Sequence, residues 1–195
     1  MPSLAITAHD FACHMNSHWT STLGNVSSPK LLSLWTAMGQ AFLGAIEASK
    51  DPLAHDRHLW RILRPETGTG KTQGIRIFSA MVARENLKLP VKERTGVLIV
   101  TRLTAEADKL AEEINATFAE TVAGEKRPPG PLNTVDVHGV INPVVAVAKH
   151  SQPTGRVKKE VVDKTPILIL THASYVAALD RLEQANEDRW SSMIN

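Results

Sequence analysis

One short segment carries the residue types needed to hold a phosphate group. Residues 64–74 read RPETGTGKTQG, with Gly68 and Gly70 directly before Lys71 and Thr72. Glycines let consecutive backbone N–H groups turn toward one point, because no Cβ atom obstructs them. A helix that begins near Lys71 would add its partly positive N-terminus. The segment therefore predicts a phosphate-binding loop; the alternative is a glycine-rich turn that only caps a helix.

A nucleoside triphosphate with its Mg²⁺ suits these residue types. The ammonium of Lys71, the expected catalytic group, would bridge the β- and γ-phosphates, and the hydroxyl of Thr72 would coordinate Mg²⁺. The general pattern G-x-x-x-x-G-K-[ST] has glycine where this chain has Pro65, which has no N–H to donate. We expect ATP and Mg²⁺ as cofactors. The expected nucleotide-binding residues are Glu66, Thr67, Gly68, Thr69, Gly70, Lys71, Thr72 and Gln73.

Apolar segments and helical periodicities alternate from residue 58 onward. Strands are predicted at 58–64, 95–101, 133–140 and 165–173, and helices at 71–87, 104–122 and 174–190. Segment 141–151 is ambiguous, and 152–164 suggests a polar loop or a short helix. Continuous apolar strands separated by helices imply a parallel sheet covered on both faces, with ligands at its carboxyl edge. We therefore expect an α/β domain over residues 58–195.

The first 57 residues form a separate extension in this interpretation. Residues 1–29 look polar and irregular, and an amphipathic helix follows at 30–49, before Pro52. Histidine is concentrated at the start of the chain, and zinc could use such ligands. However, the spacing of these residues matches no zinc finger and the chain has one cysteine, so we expect no metal site there.

Composition limits the class of protein. The chain has 195 residues, of which 43% are hydrophobic and 22% charged, and its net charge is +2. These values are typical of a globular protein with a substantial core rather than of a disordered chain. The single cysteine, Cys13, excludes an internal disulfide. We see neither a signal peptide nor an apolar run of about 18 residues, so we expect a cytoplasmic protein without a membrane partner.

Three motifs resemble those of superfamily 2 helicases and translocases. PETGTGKTQ (65–73) resembles motif I, and its wording is particularly similar to type III restriction and related DEAD/DEAH-like enzymes. VLIVTRLTAEADKLAEEI (97–114) resembles the strand and helix of motif Ia, and ILILTHASYVAAL (167–179) resembles motif Ic. The resemblance covers about residues 58–180. It implies a three-layer, RecA-like P-loop NTPase domain that is part of an ATP-dependent helicase motor.

The resemblance also implies contacts with nucleic acid, DNA rather than RNA. Thr101 and Arg102 would contact the sugar–phosphate backbone of one strand, and so would Thr171 and His172. Hydroxyl groups, a guanidinium and a helix N-terminus all suit phosphate oxygens. The alternatives are helix caps at both turns and a buried His172. The basic run RVKK (156–159) suggests a solvated loop more than a nucleic-acid patch.

One element of such a motor is not evident in the sequence. Helicases need a Mg²⁺-binding acidic motif, an apolar strand that ends in Asp-Glu. Both GVLIVT and PILILT end in threonine, Asp136 lies inside a short predicted strand, and Asp180 and Glu183 lie in a predicted helix. We therefore expect the front part of a first motor domain, cut before this motif. Its partner would be the missing C-terminal motor domain.

Two other classes of protein stay open, and whether the chain is itself an enzyme is undecided. The first is another kind of P-loop enzyme, such as a small-molecule kinase, which would transfer a phosphoryl group without responding to DNA. The second is a non-catalytic interaction module that binds nucleotide or DNA without hydrolysis.

Overall fold

The computed structural model describes residues 4–49, 64–122, 132–135 and 141–181. Contacts between Cα atoms divide the chain into two compact units. The first comprises residues 1–95 and 120–124, and the second comprises residues 96–119 and 125–195. The fold is mixed α/β with a small parallel sheet, as the sequence predicts.

The first unit is helical in its described part. Its elements are α1 (Ala8–Ser17), a π-helical stretch (His18–Thr22), α2 (Pro29–Ser49), α3 (Lys71–Asn86) and a 3₁₀ turn (Val91–Glu93). Helices α2 and α3 confirm the predictions for 30–49 and 71–87. Residues 50–63 lie outside the described part of the chain, and with them the strand predicted at 58–64 and the domain boundary between residues 57 and 58.

The expectation that residues 1–29 are irregular is wrong, because α1 occupies ten of them. The hydroxyl oxygen of Thr7 accepts a hydrogen bond from the backbone N–H of Asp10 at 3.0 Å, and the Asp10 carboxylate accepts one from the N–H of Thr7 at 3.0 Å. The Thr7 hydroxyl also donates to the Asp10 carboxylate at 2.7 Å, and this bond, followed by that from the Thr7 N–H, lowers the pKa of Asp10. The reciprocal pair is a capping box, which fixes the start of the helix. Phe11 and Met15, four residues apart, then bury one face of α1.

An aromatic cluster joins the three helices of the first unit. The ring of Phe11 meets those of Phe42 and Phe78 edge to face, with centroids 5.8 and 5.9 Å away. Such pairs add to the free energy gained from burial alone. Helix α2 approaches α1 closely at Gly39, where an added Cβ would lie 2.9 Å from Phe11 Cδ1. The small residue therefore permits the close crossing of α1 and α2.

The second unit contains the sheet. Its elements are β1 (Val97–Thr101), α4 (from Thr104), β2 (Leu132–Val135), β3 (Ile141–Val144), β4 (Ala146–Lys149), a 3₁₀ turn (Pro153–Gly155), α5 (Lys159–Val162), β5 (Ile167–Thr171) and a helix at 172–181, here α6. Helix α4 ends at Thr121. Strands β1, β5 and β4 form a parallel sheet in that order, while β2 and β3 pair antiparallel. The strand β5, last in the chain, is therefore central.

Burial differs between the two motif-bearing strands. Ile167 and Ile169 of β5 are fully buried, whereas Leu98 and Val100 of β1 are 51% and 40% exposed. The prediction that both faces of the sheet are covered is therefore confirmed for β5 but wrong for β1. Among the described strands β5 has a neighbour on each side and β1 lies at an edge. An unbroken apolar run does not distinguish these two environments.

The remaining predictions have mixed outcomes. Strands β1 and β5 and helix α4 confirm the predictions at 95–101, 165–173 and 104–122 to within about two residues. The ambiguous segment 141–151 contains two short strands, and α6 begins two residues before the predicted helix at 174–190. Residues 136–140 and 182–195 lie outside the described ranges. No helix among the described residues is long and apolar enough to cross a membrane.

Helix α4 is tied to β4 by two polar side chains on the same helical face. Asn115 accepts hydrogen bonds from the N–H groups of Val145 and Ala146 at 2.8 and 2.9 Å, and donates one to the Ala146 carbonyl at 2.9 Å. Two turns earlier, the carboxylate of Asp108 bonds Nε2 of His150 at 2.8 Å. The His150 side chain is fully buried, so this bond replaces one to water. Asn115 thus holds the start of β4, and Asp108 holds its carboxyl end.

We predict that Gly155→Ala destabilises the second unit. An added Cβ would lie 2.4 Å from Cγ of His150, whose buried ring is also held by Asp108. Overpacking of this kind typically costs about 1–3 kcal/mol, which urea denaturation would detect. The matched control is Gly96→Ala, whose Cβ would lie 3.9 Å from its nearest neighbour, the Pro166 carbonyl oxygen. Equal midpoints for the two variants would contradict the prediction.

Candidate functional site

The loop at residues 65–70 depends on two glycines in the left-handed region. Gly68 has a φ of 80° and Gly70 a φ of 83°. Side chains with a Cβ rarely adopt this conformation. At Gly68 the space around the Cα is open, so conformation alone requires glycine. At Gly70 packing adds a second reason, because an added Cβ would lie 3.1 Å from Cε of Met15.

Unpaired backbone donors stand at the start of α3. The carbonyl of Gly70 accepts from the N–H of Gly74 at 2.7 Å, and Gly70 offers no side-chain cap. Within the described residues, the N–H groups of Lys71, Thr72 and Gln73 have no acceptor. A helix N-terminus with bare N–H groups attracts anions, because the donors and the helix dipole act together.

The side chains of the loop face solvent or bond the loop itself. The ammonium of Lys71 donates to the carbonyl of Pro65 at 3.0 Å, so the lysine reaches back across the loop. The hydroxyl of Thr69 donates to the Glu66 carbonyl at 2.7 Å. Lys71 and Thr72 are exposed. All eight residues expected to bind nucleotide therefore lie in one loop and the first turn of α3.

The back of the loop rests on the N-terminal helices of the first unit. The indole N–H of Trp35, on α2, donates to the carbonyl of Thr69 at 2.9 Å, and Trp35 is fully buried. The ring of Trp19 meets that of Trp35 edge on, with centroids 5.7 Å apart. Sequence reasoning missed this support, although Trp35 does lie on the apolar face of the predicted helix. The loop is therefore held in place by residues far away in sequence.

Gly74 has a different role from the other glycines of the segment. It lies in the first turn of α3 and is buried. An added Cβ would lie 2.8 Å from Cε of Met38 on α2. Gly74 therefore allows α3 to approach α2 closely, and its N–H is already bonded to the Gly70 carbonyl.

The residues expected to contact nucleic acid gather at one edge of the sheet in the second unit. Thr101 and Thr171 are direct partners in the parallel pairing of β1 with β5. Helices α4 and α6 start within three residues of these strand ends. The structure therefore brings Thr101, Arg102, Thr171 and His172 to neighbouring positions at the carboxyl edge, where α/β proteins bind ligands.

The two threonine hydroxyls are engaged in local bonds. Thr171 Oγ1 accepts from the N–H of Ser174 at 3.3 Å and lies 2.9 Å from its hydroxyl, so it caps α6. Thr101 Oγ1 donates to the Leu103 carbonyl at 3.2 Å. Arg102 and His172 are exposed, so the alternative of a buried His172 is wrong. The threonines thus shape the two turns, and the exposed side chains can reach a ligand.

The function has to be inferred from these residues, because the comparisons with known proteins found no match. No protein family, curated protein sequence or solved structure matches the chain. In the described part of the chain, no three His, Cys, Asp or Glu side chains come together to hold a metal ion. The geometry of the loop and of the sheet edge therefore carries the functional inference.

We predict that Trp35→Phe loosens the loop at residues 65–70. The variant loses the hydrogen bond to the Thr69 carbonyl and part of a buried ring, which together cost about 2 kcal/mol. Native-state trypsin cleavage after Lys71 should become faster, because local opening exposes that bond. The matched control is Thr36→Val on the same helix, which removes a hydrogen bond of 2.9 Å to the Leu32 carbonyl within α2. Cleavage at equal rates in both variants would argue against a specific role for Trp35.

Proposed function

We propose that this chain is the ATP-binding, N-terminal part of an ATP-dependent DNA helicase or translocase motor of superfamily 2. The observation that carries the proposal is the loop before α3. Two glycines with positive φ precede a helix start whose N–H groups at 71–73 have no acceptor among the described residues, and the Lys71 ammonium reaches back over the loop. The resemblance of three motifs to this superfamily supplies the class, and the RecA-like form of the α/β fold is part of the proposal.

The chemistry of the loop suits a triphosphate. The ammonium of Lys71 is bonded to a neutral carbonyl, at Pro65. Exchange of that partner for phosphate oxygens gives the ammonium an acceptor of opposite charge, which adds Coulomb attraction to the hydrogen bond. The N–H groups at 71–73 supply further donors, and the exposed hydroxyl of Thr72 is placed to coordinate Mg²⁺. Bound Mg²⁺ would offset the charge of the β- and γ-phosphates.

The sheet edge of the second unit supports contact with a nucleic-acid backbone. Arg102 and His172 are exposed beside paired strand ends, and a helix begins after each strand. Guanidinium, imidazole and helix N-termini all bind phosphate oxygens without reading the base sequence. We propose DNA as the nucleic acid on the strength of the resemblance.

The described part of the chain binds phosphate better than it activates water. The three parallel strands end at Thr101, Lys149 and Thr171, so no carboxylate stands at a described strand end. A motor needs such a carboxylate to hold Mg²⁺ and orient the attacking water. In this proposal a complete motor, with its C-terminal domain, couples hydrolysis to movement on DNA.

The loop assignment predicts that Lys71→Ala weakens binding of Mg²⁺–ATP. A hydrogen bond to a charged group is worth about 1.5–3 kcal/mol, which corresponds to roughly a 10- to 150-fold rise in Kd. Isothermal titration calorimetry would measure it. The matched control is Lys88→Ala, just beyond the end of α3, since Lys88 is paired with Glu85 at 2.6 Å and lies 17 residues from Lys71. An unchanged Kd in Lys71→Ala would refute nucleotide binding by this loop.

The same proposal predicts slow ATP hydrolysis by this chain alone. Release of phosphate from Mg²⁺–ATP, measured with and without single-stranded DNA, should stay far below the turnover of about 1–10³ s⁻¹ that is typical of enzymes. A turnover in that range that is lost in Lys71→Ala would show that an acidic group elsewhere in the chain completes the site.

A further inference from the structure

A cavity with several polar side chains lies in the sheet-containing unit. Its volume is about 470 Å³, and it opens between the ends of β4 and β5 and the first turns of α6. Leu168 and Leu170 form its apolar wall. Its polar side chains are Lys149, His150, Ser151, Thr171, Ser174 and Arg181. This group of residues is here termed the basic cavity.

The described lining of the basic cavity carries positive charge. Lys149 and Arg181 are both exposed, and neither forms an ion pair or hydrogen bond with any described residue. No aspartate or glutamate is among the described residues that line the cavity. Two cations with no acidic partner in a concave, half-apolar site raise the local concentration of anions. The expected ligand is therefore negatively charged.

A hydroxyl donor accompanies these cations. Thr171 and Ser174 lie with their side-chain oxygens 2.9 Å apart and share one hydrogen bond. Two hydroxyls have two protons, so one O–H of this pair stays available to donate. The backbone N–H of Ser174 is already used by the Thr171 cap. The cavity thus combines two cations with one free hydroxyl, a set of donors that suits the tetrahedral oxygens of a phosphate.

The wall that carries Lys149 is rigid. The next residue, His150, is fully buried, is bonded to Asp108 at 2.8 Å, and packs on Gly155. The backbone at the end of β4 is therefore fixed before a ligand arrives. Opposite, the small side chains of Ala173, Ala177 and Ala178 leave the volume open. Pre-organisation of this kind lowers the entropic cost of binding.

We propose that the basic cavity binds a phosphate group of a single-stranded nucleic-acid backbone, with Lys149 and Arg181 as its cationic contacts. The volume lies within the usual range of about 300–1,000 Å³ for ligand pockets, and a nucleotide unit fits this range. The apolar wall can cover a sugar or the face of a base. This inference rests on the proposed function, because it extends the path of the strand from Arg102 and His172 along the same sheet edge.

The test measures binding of a fluorescent single-stranded oligonucleotide by anisotropy over a range of salt concentrations. Lys149→Ala and Arg181→Ala should each weaken binding about five- to tenfold at low salt. Each should also reduce the slope of log K against log salt by about 0.7, the value for one lost contact with a single strand. The matched control is Lys164→Ala, an exposed lysine of the same unit that does not line the cavity. Circular dichroism melting would verify that all variants are folded.

The outcomes separate this inference from the proposed function. If the wild-type chain binds the oligonucleotide but both cavity variants behave like Lys164→Ala, the cavity assignment is overturned and the proposed function stands. If the wild-type chain binds ATP through Lys71 but no oligonucleotide, both nucleic-acid contacts are overturned. Inorganic phosphate and AMP are added as competitors. If inorganic phosphate or AMP displaces the oligonucleotide at a concentration equal to that of the oligonucleotide, the cavity is assigned to a free phosphate ligand and the backbone assignment is overturned.

Discussion

The structure of the first unit depends on holding one loop in a conformation that only glycine tolerates. Gly68 and Gly70 both have positive φ, and the N–H groups at 71–73 that follow have no acceptor among the described residues. The hydrogen bond from the Trp35 indole to the Thr69 carbonyl holds the loop against α2. One side of the loop is thus packed against helices, and the other keeps free donors for a ligand.

This arrangement gives the N-terminal helices a role that the sequence does not reveal. The motif predicted the glycine loop and the start of α3 at Lys71, because these depend on local backbone chemistry. The supports are long-range: Trp35 lies 34 positions from Thr69. No spacing rule pairs such residues. The sequence therefore did not show that α2, predicted as part of a separate extension, supports the loop. The capping box at Thr7, in contrast, was a local signal that could have predicted α1.

The sheet shows the same division between local and tertiary information. Apolar runs located β1 and β5, and the structure adds their register, with Thr101 opposite Thr171. The runs did not predict that β1 has an open face, since burial depends on neighbours. His150 was also missed, because its importance comes from Asp108 on another helix and from the missing Cβ of Gly155. The basic cavity follows from those contacts and was equally invisible in the sequence.

Both units offer groups that suit anions, but in different arrangements. In the first unit, N–H groups without a described acceptor and one ammonium belong to a single loop and the helix turn after it, which suits the dense charge of a triphosphate with Mg²⁺. In the second unit, Arg102, His172 and Lys149 lie at or beside strand ends and Arg181 lies further along α6, which suits the spaced charges of a nucleic-acid backbone. In the proposed function these groups hold phosphates in the ground state. Hydrolysis requires in addition a group that holds the metal and orients water, so the proposal separates binding of both ligands from turnover.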